Sequence, residues 1–305
     1  MAQPLTFVIP DTLDGERVDK VVAVLGEMPR SEARAQCDAG NVEIDGSPAA
    51  AKARVAAGST IVFDPGALPA VLQAEAVDFG VLYEDEHLVV IDKPSGLTVH
   101  PGAGRATGTL AGGLMERFPD LVGVGQAGRW GLVHRLDRET SGALLVGRTP
   151  AAHAALVADL ARREVGREYV ALVQGTFDLP RGTVDAPIGR DPHRPRRRAL
   201  VPAGRLAVTH YQMTRQWPRP GVALLAVQLE TGRTHQIRVH LAGIGHSVVG
   251  DRLYGRRDPV SIGRLFLHAA QLRFVHPVTG EEMTVQSPLP PDLEGVLTRL
   301  DQQSE

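Results

Sequence analysis

The order of strand-like and helix-like segments after residue 79 restricts the fold of this chain more than any other feature. Six segments rich in Val, Leu and Tyr have the composition of β-strands, whereas three segments have the apolar spacing of amphipathic helices. The strand-like segments are HLVVIDKP, GALLVGRT, EYVALVQG, AVTHYQM, VALLAVQLE and QLRFVHP, and the helical stretches span 150–165, 234–244 and 290–300. Because a doubly wound fold needs a helix after each strand, this order predicts an α+β fold with a mixed, mostly antiparallel sheet and flanking helices.

A smaller α/β unit is expected before this region. It contains two helix-like segments, GERVDKVVAVLGEM and SEARAQCDAG, followed by the strand-like NVEIDG and STIVF. Ser31 is placed to cap the second helix at its start and Gly40 at its end, and Asp45-Gly46 is typical of a hairpin turn. The predicted organisation is a tail over 1–14, the small domain over 15–64, a linker over 65–78 and a large domain over 79–305.

Composition limits where the protein works. Hydrophobic residues make up 43% of the chain, which supports a packed core. The sequence has no apolar run of about 18 residues and no basic, then apolar, N-terminal leader, so we expect no membrane span and no signal peptide. Cys37 is the single cysteine and has no internal disulfide partner, which is typical of a reducing compartment. The expected location is cytoplasmic.

The net charge of −2 hides an uneven distribution. The first 75 residues carry 6 Lys and Arg against 11 Asp and Glu, whereas the remainder carries 27 against 24. A protein that binds a polyanion need be basic only locally. The densest basic run is Arg194, Arg196, Arg197 and Arg198, which is either a solvated loop or a loop that contacts phosphates.

Two segments that resemble binding motifs do not meet their requirements. GAGRATGTLAGG, residues 102–113, lacks the Gly-Lys-Ser/Thr ending of a phosphate-binding loop and is predicted to be a flexible loop. His235 and His240 have no third ligand at a useful spacing, so we expect no metal site.

The segment HRLDRETSG, residues 134–142, carries the densest chemistry in the chain. In an extended segment, alternation places Arg135 and Asp137 on one face. An aspartate held near an arginine stays ionised at neutral pH and can act as a nucleophile or a base. The alternative is a structural ion pair followed by a turn at Thr140-Ser141-Gly142.

Two other segments combine functional side chains with regular structure. ETGRTHQIRVHLA, residues 230–242, predicts a strand that turns into a helix near Arg233, with Arg238 one helical turn beyond His235. A helix start with two arginines suits an anion, either a phosphate or the Asp137 carboxylate, although a solvated basic helix has the same pattern. REYVALVQG places Tyr169 in an aliphatic strand, where core packing is the simpler explanation.

Taken together, these segments resemble the signature segments of the RluA-type pseudouridine synthases. HRLDRETSG, REYVALVQG and ETGRTHQIRVH are similar to the family's motifs, and VLYEDEHLVVIDKPSGLTVHPG and LHAAQLRFVHPVTGE are similar to its flanking sequences. Residues 15–64 resemble an S4 RNA-binding domain through GERVDKVV, the Arg30-Ser31 helix start and AGNVEIDG. VHPGAG and GTVDAPIGRDP are most similar to the RluD branch, whose members act on a stem-loop of large-subunit ribosomal RNA.

The resemblance implies a pseudouridine-synthase fold and the isomerisation of uridine to pseudouridine in RNA. It implies large-subunit ribosomal RNA, or its precursor, as the partner, no metal and no nucleotide or other cofactor. We also expect a monomer. Transfer RNA or another ribosomal site is the alternative substrate, and a non-catalytic RNA-binding assembly factor is the alternative from a different functional class.

The resemblance also assigns roles at the reacting uridine. Asp137 matches the family's catalytic aspartate, which attacks C1′ or C6 or acts as a base toward the sugar. Tyr169 matches the tyrosine that stacks on the target base. Arg238 matches the arginine that pairs with the aspartate, with Arg233 as the second choice, and Ile237 is expected to form an apolar wall beneath the base.

A uridine inside an RNA stack must be extruded before it can react. Arg135 matches the arginine that fills the vacated space, and His134 is expected to pack beside it. The unit that resembles an S4 domain is acidic here, whereas the RNA-binding surface of such domains is basic. The expected phosphate contacts come from Arg194, Arg196, Arg197 and Arg198 in the large domain and from Arg30 and Arg34 in the small one.

Overall fold

The computed structural model describes residues 4–28, 30–38, 40–63, 74–101, 107–125, 129–194, 197–255 and 258–303. The chain divides into two compact units, Met1–Gln73 and Ala74–Glu305. No helix in these described ranges is both long and apolar enough to cross a membrane.

The first unit packs two helices on a small antiparallel sheet. Its elements are β1 (Leu5–Val8), α1 (Val18–Leu25), α2 (Arg30–Asp38), β2 (Val42–Ile44), β3 (Ser47–Pro48) and β4 (Thr60–Phe63). Within the described residues the strand order is β1-β4-β2-β3. The apolar positions that predicted the elements form the core, with Val18, Val21 and Ile61 fully buried. Cys37 is buried with them, and burial raises the pKa of its thiol to about 11, so it remains a protonated packing residue.

Three local expectations for this unit have different outcomes. Strand β1 lies in the stretch predicted as a tail, and its residues pair with β4 from Leu5 opposite Phe63 to Val8 opposite Thr60. Helix α2 already includes Arg30, so the prediction that Ser31 caps its start was wrong. The Asp45-Gly46 turn is confirmed, with φ of 49° and 76°. The predicted linker lies mostly outside the described residues.

The second unit is built on a nine-stranded sheet, counted over the described residues. Its helices are α3 (Leu110–Arg117), α4 (Pro150–Arg162), α5 (Gln236–Gly243) and α6 (Pro291–Gln302). Its strands are β5 (Gly80–Glu84), β6 (Leu88–Lys93), β7 (Ser141–Gly147), β8 (Gly166–Gln174), β9 (Arg181–Asp185), β10 (Ile188–Arg190), β11 (Arg198–Leu200), β12 (Val208–Trp217), β13 (Val222–Leu229), β14 (Leu267–Val275) and β15 (Glu282–Gln286).

The sheet has the order β5-β6-β7-β14-β8-β13-β12-β9, with β15 also paired to β14. Strands β7 and β14 run parallel, and the other strand pairs of the described sheet are antiparallel. Strands β10 and β11 form a separate hairpin. The prediction of an α+β fold with a mixed, mostly antiparallel sheet is therefore confirmed.

Helices cover both faces of the sheet. Residues of α3 and α5 share an apolar cluster with Ala171 and Val173 of β8. Leu172 lies between Ala171 and Val173 and therefore points to the opposite face of the sheet, where it shares another cluster with residues of α6. Residues of α4 pack against β6 and β7 on that second face. Because both faces are covered, all seven residues of β7 are buried, which explains the continuous apolar run over residues 143–146.

The parallel contact of β7 with β14 requires a glycine. Gly142 has φ of +114°, and a Cβ at this position would collide with the main chain of Ala269. The side chain of Ser141, the residue before it, is buried and hydrogen-bonds to His268 Nδ1 at 3.0 Å. The last two residues of HRLDRETSG are therefore explained by strand packing rather than by chemistry.

The prediction of a flexible loop over 102–113 was wrong for the part that the structure describes. Helix α3 begins at Leu110, and the Thr109 hydroxyl accepts a hydrogen bond from Gly112 N. The two glycines of the helix lower its intrinsic propensity, but Leu110 and Leu114 enter the core and Val77 packs closely against Gly113. Tertiary packing therefore outweighs the glycine content. Residues 102–106 lie outside the described residues.

The hairpin that joins β5 to β6 is held by a carboxylate that makes the fold sensitive to acid. Asp85 accepts hydrogen bonds from the Tyr83 hydroxyl, His276 Nε2, and the main-chain N–H groups of His87 and Leu88, at 2.7 to 2.8 Å. Burial alone would raise the pKa of Asp85, but these donors outweigh it and lower the pKa to about 2. A lowered carboxyl pKa stabilises the fold above the ordinary pKa, and this contribution is lost as the pH falls toward 2.

We therefore expect the free energy of unfolding of the parent to fall by about 2 kcal/mol more than that of Asp85→Asn between pH 6 and pH 2. Urea unfolding followed by tryptophan fluorescence at several pH values measures this difference. Parallel pH profiles for the two proteins would show that Asp85 does not carry this dependence.

Candidate active site

A cavity of about 420 Å³ in the second unit is bounded by the three segments that the sequence singled out. One wall is the loop before β7, with Asp137. A second is the start of β8, with Tyr169. The third is the turn that follows β13 and the start of α5, with Arg238. The fold therefore brings together residues separated by as many as 101 positions in the sequence.

The Asp137 side chain pairs with Arg238 at the wall of this cavity. Arg238 Nη1 donates to Asp137 Oδ2 at 3.1 Å. The rest of the guanidinium is held by a second carboxylate, because Nε and Nη2 donate to the two oxygens of Asp251 at 2.7 and 2.9 Å. Arg238 is therefore fixed by a two-point contact with a fully buried Asp251 and directs one remaining N–H at Asp137.

The electrostatics of this group agree with its geometry. Burial lowers the pKa of Arg238, but Asp251 and Asp137 outweigh burial and raise it above its ordinary value. Burial raises the pKa of Asp251, but the hydrogen bonds and charge of Arg238 outweigh it and hold that pKa below its ordinary value. Two carboxylates thus share one guanidinium, and the group as a whole carries negative charge beside the cavity.

The loop that carries Asp137 is fixed through its main chain. Lys93 lies fully buried at the end of β6. Its Nζ lies within hydrogen-bonding distance of three main-chain carbonyl oxygens, those of Pro94 at 2.8 Å, Leu97 at 2.9 Å and Arg138 at 3.1 Å, and burial lowers its pKa to about 7. Because Arg138 directly follows Asp137, this contact holds the backbone of the loop regardless of its side chains.

Tyr169 lies on the face of β8 that faces α5 and lines the cavity, with 6% of its surface exposed. Burial raises the pKa of the phenol, so the hydroxyl stays protonated at neutral pH. Ile237, on the first turn of α5, is 3% exposed, belongs to the same apolar cluster and also lines the cavity. Both side chains offer apolar surface next to Asp137.

The sequence left open which arginine pairs with Asp137. In the structure this arginine is Arg238, since Arg233 Nε donates instead to the carbonyl of Leu206 at 3.0 Å. Arg233 remains at the cavity wall, together with the exposed Arg135. His134 also borders the cavity, but its Nε2 accepts a hydrogen bond from Leu145 N at 3.0 Å, and burial lowers its pKa to about 3. His134 is therefore a neutral residue that holds the loop to β7.

The arginine run lies at the turn of the β10–β11 hairpin. Arg194 is exposed, Arg197 lies with its guanidinium carbon 5.9 Å from the centre of the Tyr254 ring, and Arg198 begins β11. Arg196 lies outside the described residues. The main-chain N–H of Arg198 donates to the Tyr254 hydroxyl at 2.9 Å.

In the first unit, Arg30 and Arg34 lie on α2 and are each about half exposed. Arg30 and Arg17 both bind the buried carboxylate of Asp19, at 2.9 Å for Arg30. Arg34 contacts Asp38 one helical turn away, at 3.4 Å. Part of the positive charge of this surface is therefore already paired within the unit.

The sequence did not single out Asp251 and Tyr254 as site residues. Both lie in the segment DRLYG, whose distance in sequence from the motifs gives no sign of a contact with them. They reach the site because the segment after α5 folds back toward it. Asp251 holds Arg238, and the Arg238 guanidinium carbon lies 5.1 Å from the centre of the Tyr254 ring. His235, which the sequence placed near the helix start and also considered as a metal ligand, lies 4.0 Å from Asp137 through its Nε2. Over the described ranges, no three His, Cys, Asp or Glu side chains group as metal ligands would.

Arg167, the first residue of the segment REYVALVQG, also lies at the cavity. It is 8% exposed, lies two residues before Tyr169 on the same strand face and lines the cavity. A Cβ at Gly232 would lie 2.7 Å from Nη1 at the flexible end of this side chain, so the ETGRTHQ turn and Arg167 approach each other closely.

Comparison with known proteins finds one family over most of this chain. The RNA pseudouridylate synthase family matches residues 87–243, which include Asp137, Tyr169 and Arg238. A protein of Nitrosomonas europaea named ribosomal large subunit pseudouridine synthase D is 41% identical, over 96% of this chain and 87% of its own length. A protein of the same name from Xanthomonas campestris is 40% identical, over 97% of this chain and 92% of its own.

A solved structure supports the fold assignment independently. The human RNA pseudouridylate synthase domain containing 1 is similar with a TM-score of 0.59 and 27% identity, over 77% of this chain and 96% of that one. The family match, the two relatives and this structural similarity together establish that the chain belongs to the RNA pseudouridylate synthase family and is an RNA pseudouridine synthase.

Proposed function

We propose that this enzyme isomerises specific uridines in large-subunit ribosomal RNA, or its precursor, and that Asp137 is its catalytic residue. The observation that carries the proposal is the Asp137 carboxylate, which is held by Arg238 at a cavity lined by Tyr169. The proposed substrate is inferred from the names of the two bacterial relatives, which are similar to this chain over nearly its whole length.

The reaction must break the bond between N1 of uracil and C1′ of the ribose, rotate the base and form a bond between C5 and C1′. Arg238 orients the Asp137 carboxylate and places a positive charge 3.1 Å from it. Such a carboxylate suits attack on C1′ or on C6, or removal of a proton from the sugar. The exchange of one carbon–nitrogen bond for one carbon–carbon bond transfers no net electrons and uses no phosphoryl donor, so the proposal includes no cofactor.

The base is proposed to lie between Tyr169 and Ile237. A uracil ring is flat and partly apolar, and stacking on an aromatic ring contributes about 1–3 kcal/mol per base. The protonated phenol of Tyr169 leaves the face of its ring available to the base without adding a charge near Asp137.

Base flipping is proposed because a stacked uridine does not reach a side chain at a cavity wall. Arg135 is exposed at the rim of the cavity. A guanidinium is planar, stacks on bases and binds phosphate, so Arg135 suits the space that the extruded uridine leaves. His134 supports this proposal indirectly, since it holds the same loop to β7.

Sequence-independent affinity is proposed to come from arginines outside the cavity. The β10–β11 hairpin presents Arg194, Arg197 and Arg198, and the expected contact from Arg196 belongs to the same run. The first unit, which we propose to be an S4-like RNA-binding domain over 15–64, adds Arg30 and Arg34. Since Arg30 is bound to Asp19, we propose that this acidic unit contributes less to affinity than the hairpin does.

The test is the release of tritium from RNA labelled at C5 of uridine, because this hydrogen leaves when the new bond forms. We expect the protein to release tritium from large-subunit RNA, with the modified position then mapped by carbodiimide treatment and primer extension. Release from transfer RNA alone would replace the proposed substrate and retain the reaction. A folded, RNA-binding protein that releases tritium from neither RNA would contradict the proposed function and favour a binding factor.

A further inference from the structure

His235 occupies a strained position beside the reacting groups. It precedes α5 with φ of 59° and ψ of 22°, in the left-handed region that costs free energy for a residue with a side chain. Its side chain is 21% exposed, lines the cavity and places Nε2 4.0 Å from Asp137 Oδ2. This distance is too long for a hydrogen bond, so the Nε2 edge remains available to a bound molecule.

The contact of the other ring nitrogen of His235 bears on its tautomer. Nδ1 lies 2.9 Å from the hydroxyl of Tyr254. That hydroxyl already accepts a hydrogen bond from the main-chain N–H of Arg198, also at 2.9 Å. The tautomer with the ring hydrogen on Nε2 is favoured, because Nδ1 then accepts from this hydroxyl and no Nε2 lone pair faces the Asp137 carboxylate.

The imidazole is also kept neutral. Burial lowers the pKa of His235, and this outweighs the opposing effect of Asp137. A neutral ring donates a hydrogen bond without cancelling the charge of the carboxylate next to it. The site therefore combines a carboxylate with a neutral donor fixed in direction.

Resting on the proposed function, we propose that His235 is a second catalytic residue, whose Nε2–H donates a hydrogen bond to a carbonyl oxygen of the target uracil. When the N1–C1′ bond breaks, its electron pair enters the ring and the negative charge spreads onto O2 and O4. Attack at C6 also places charge on a carbonyl oxygen. His235 stabilises that oxygen and gives up no proton. After the C5–C1′ bond has formed, the hydrogen at C5 leaves to water as a proton, and N1 takes up a proton from water, so the isomerisation balances.

The proposal is tested by single-turnover kinetics on a stem-loop RNA that spans the mapped uridine. We expect His235→Leu to lower the rate constant at saturating enzyme by about 10²-fold, as for the loss of one donor to a developing oxyanion, with little change in the affinity for RNA. His235→Gln is expected to recover part of the rate, since its amide nitrogen is a donor at a similar distance from the main chain. His246→Leu, at a histidine that stacks on Phe177 and does not line the cavity, is the matched control with full activity.

Thio-substituted substrates separate a contact with the base from a structural role. Sulfur accepts hydrogen bonds poorly, so we expect either 2-thiouridine or 4-thiouridine at the target to slow the parent more than it slows His235→Leu. Equal slowing of both proteins by both substitutions would overturn the carbonyl contact, and so would a His235→Leu variant with more than half of the parent rate. A parent that releases no tritium from any RNA would overturn the proposed function and this inference together.

Discussion

Asp137→Asn is expected to lower the rate of tritium release by at least about 10⁴-fold, while the protein stays folded and binds RNA. The amide keeps the size of the carboxylate and its oxygen still accepts from Arg238, but it has neither the charge nor the basicity that the reaction needs. The retained contact between Arg238 and Asp251 preserves the wall of the cavity. Single-turnover kinetics and filter binding on the same RNA measure the two quantities separately.

The matched control is Glu139→Gln, two positions along the same loop. Glu139 pairs with Arg138 and its carboxylate does not line the cavity. We expect this variant to keep the parent rate within about threefold, since an exposed ion pair contributes little. A large loss in both variants would indicate a reaction that uses two carboxylates, as glycosidases do, and a small loss in Asp137→Asn would remove Asp137 from the mechanism.

Arg238→Met is expected to have the largest effect on stability. The substitution removes the guanidinium that neutralises Asp251, whose side chain is fully buried. Removing one partner of a buried ion pair costs about 3–5 kcal/mol, because the other charge is left without compensation. For a unit of this size this corresponds to a decrease of roughly 10 °C in Tm, which differential scanning calorimetry measures. Activity is expected to fall as well, because Asp137 loses its orienting donor.

A double variant separates the two consequences. Arg238→Met combined with Asp251→Asn removes both buried charges, and the amide oxygen can still accept from the main-chain N–H groups of Leu253 and Tyr254. We therefore expect this variant to recover most of the lost stability without recovering activity. Recovery of activity together with stability would mean that Arg238 serves only the fold. A single variant as stable as the parent would mean that Asp251 does not depend on Arg238 for its charge.

The sequence predicted the elements whose pattern is local. The alternation and composition of β6, β7, β8, β12, β13 and β14 identified them as strands, and the helical spacing identified α4, α5 and α6. It missed α3, where two glycines concealed a helix that packing stabilises, and β1, whose pairing with β4 depends on residues more than 50 positions away. Elements that depend on distant partners leave a weak pattern in their own sequence.

The site residues were likewise predicted where they belong to a local motif and missed where their role depends on distant contacts. Asp137, Tyr169 and Arg238 stand in dense motifs, and the structure brings all three to one cavity. The sequence could not show which of Arg233 and Arg238 pairs with Asp137, because both lie near the start of the same helix. Only the folded structure distinguishes them. Asp251 and Tyr254 were missed because their roles consist of contacts with Arg238 and His235 across the fold.

The attachment of the Asp137 loop through Lys93 also bears on which positions of the loop tolerate substitution. Lys93 binds main-chain oxygens, which every amino acid supplies, so the geometry of the loop does not depend on the side chain at position 138 or 139. Arg138 and Glu139 pair with each other on the outside of the loop. Substitutions at positions 138 and 139 therefore leave the Asp137 carboxylate in place. The outer positions of the loop are free to diversify, whereas the position of the carboxylate is fixed by the main chain.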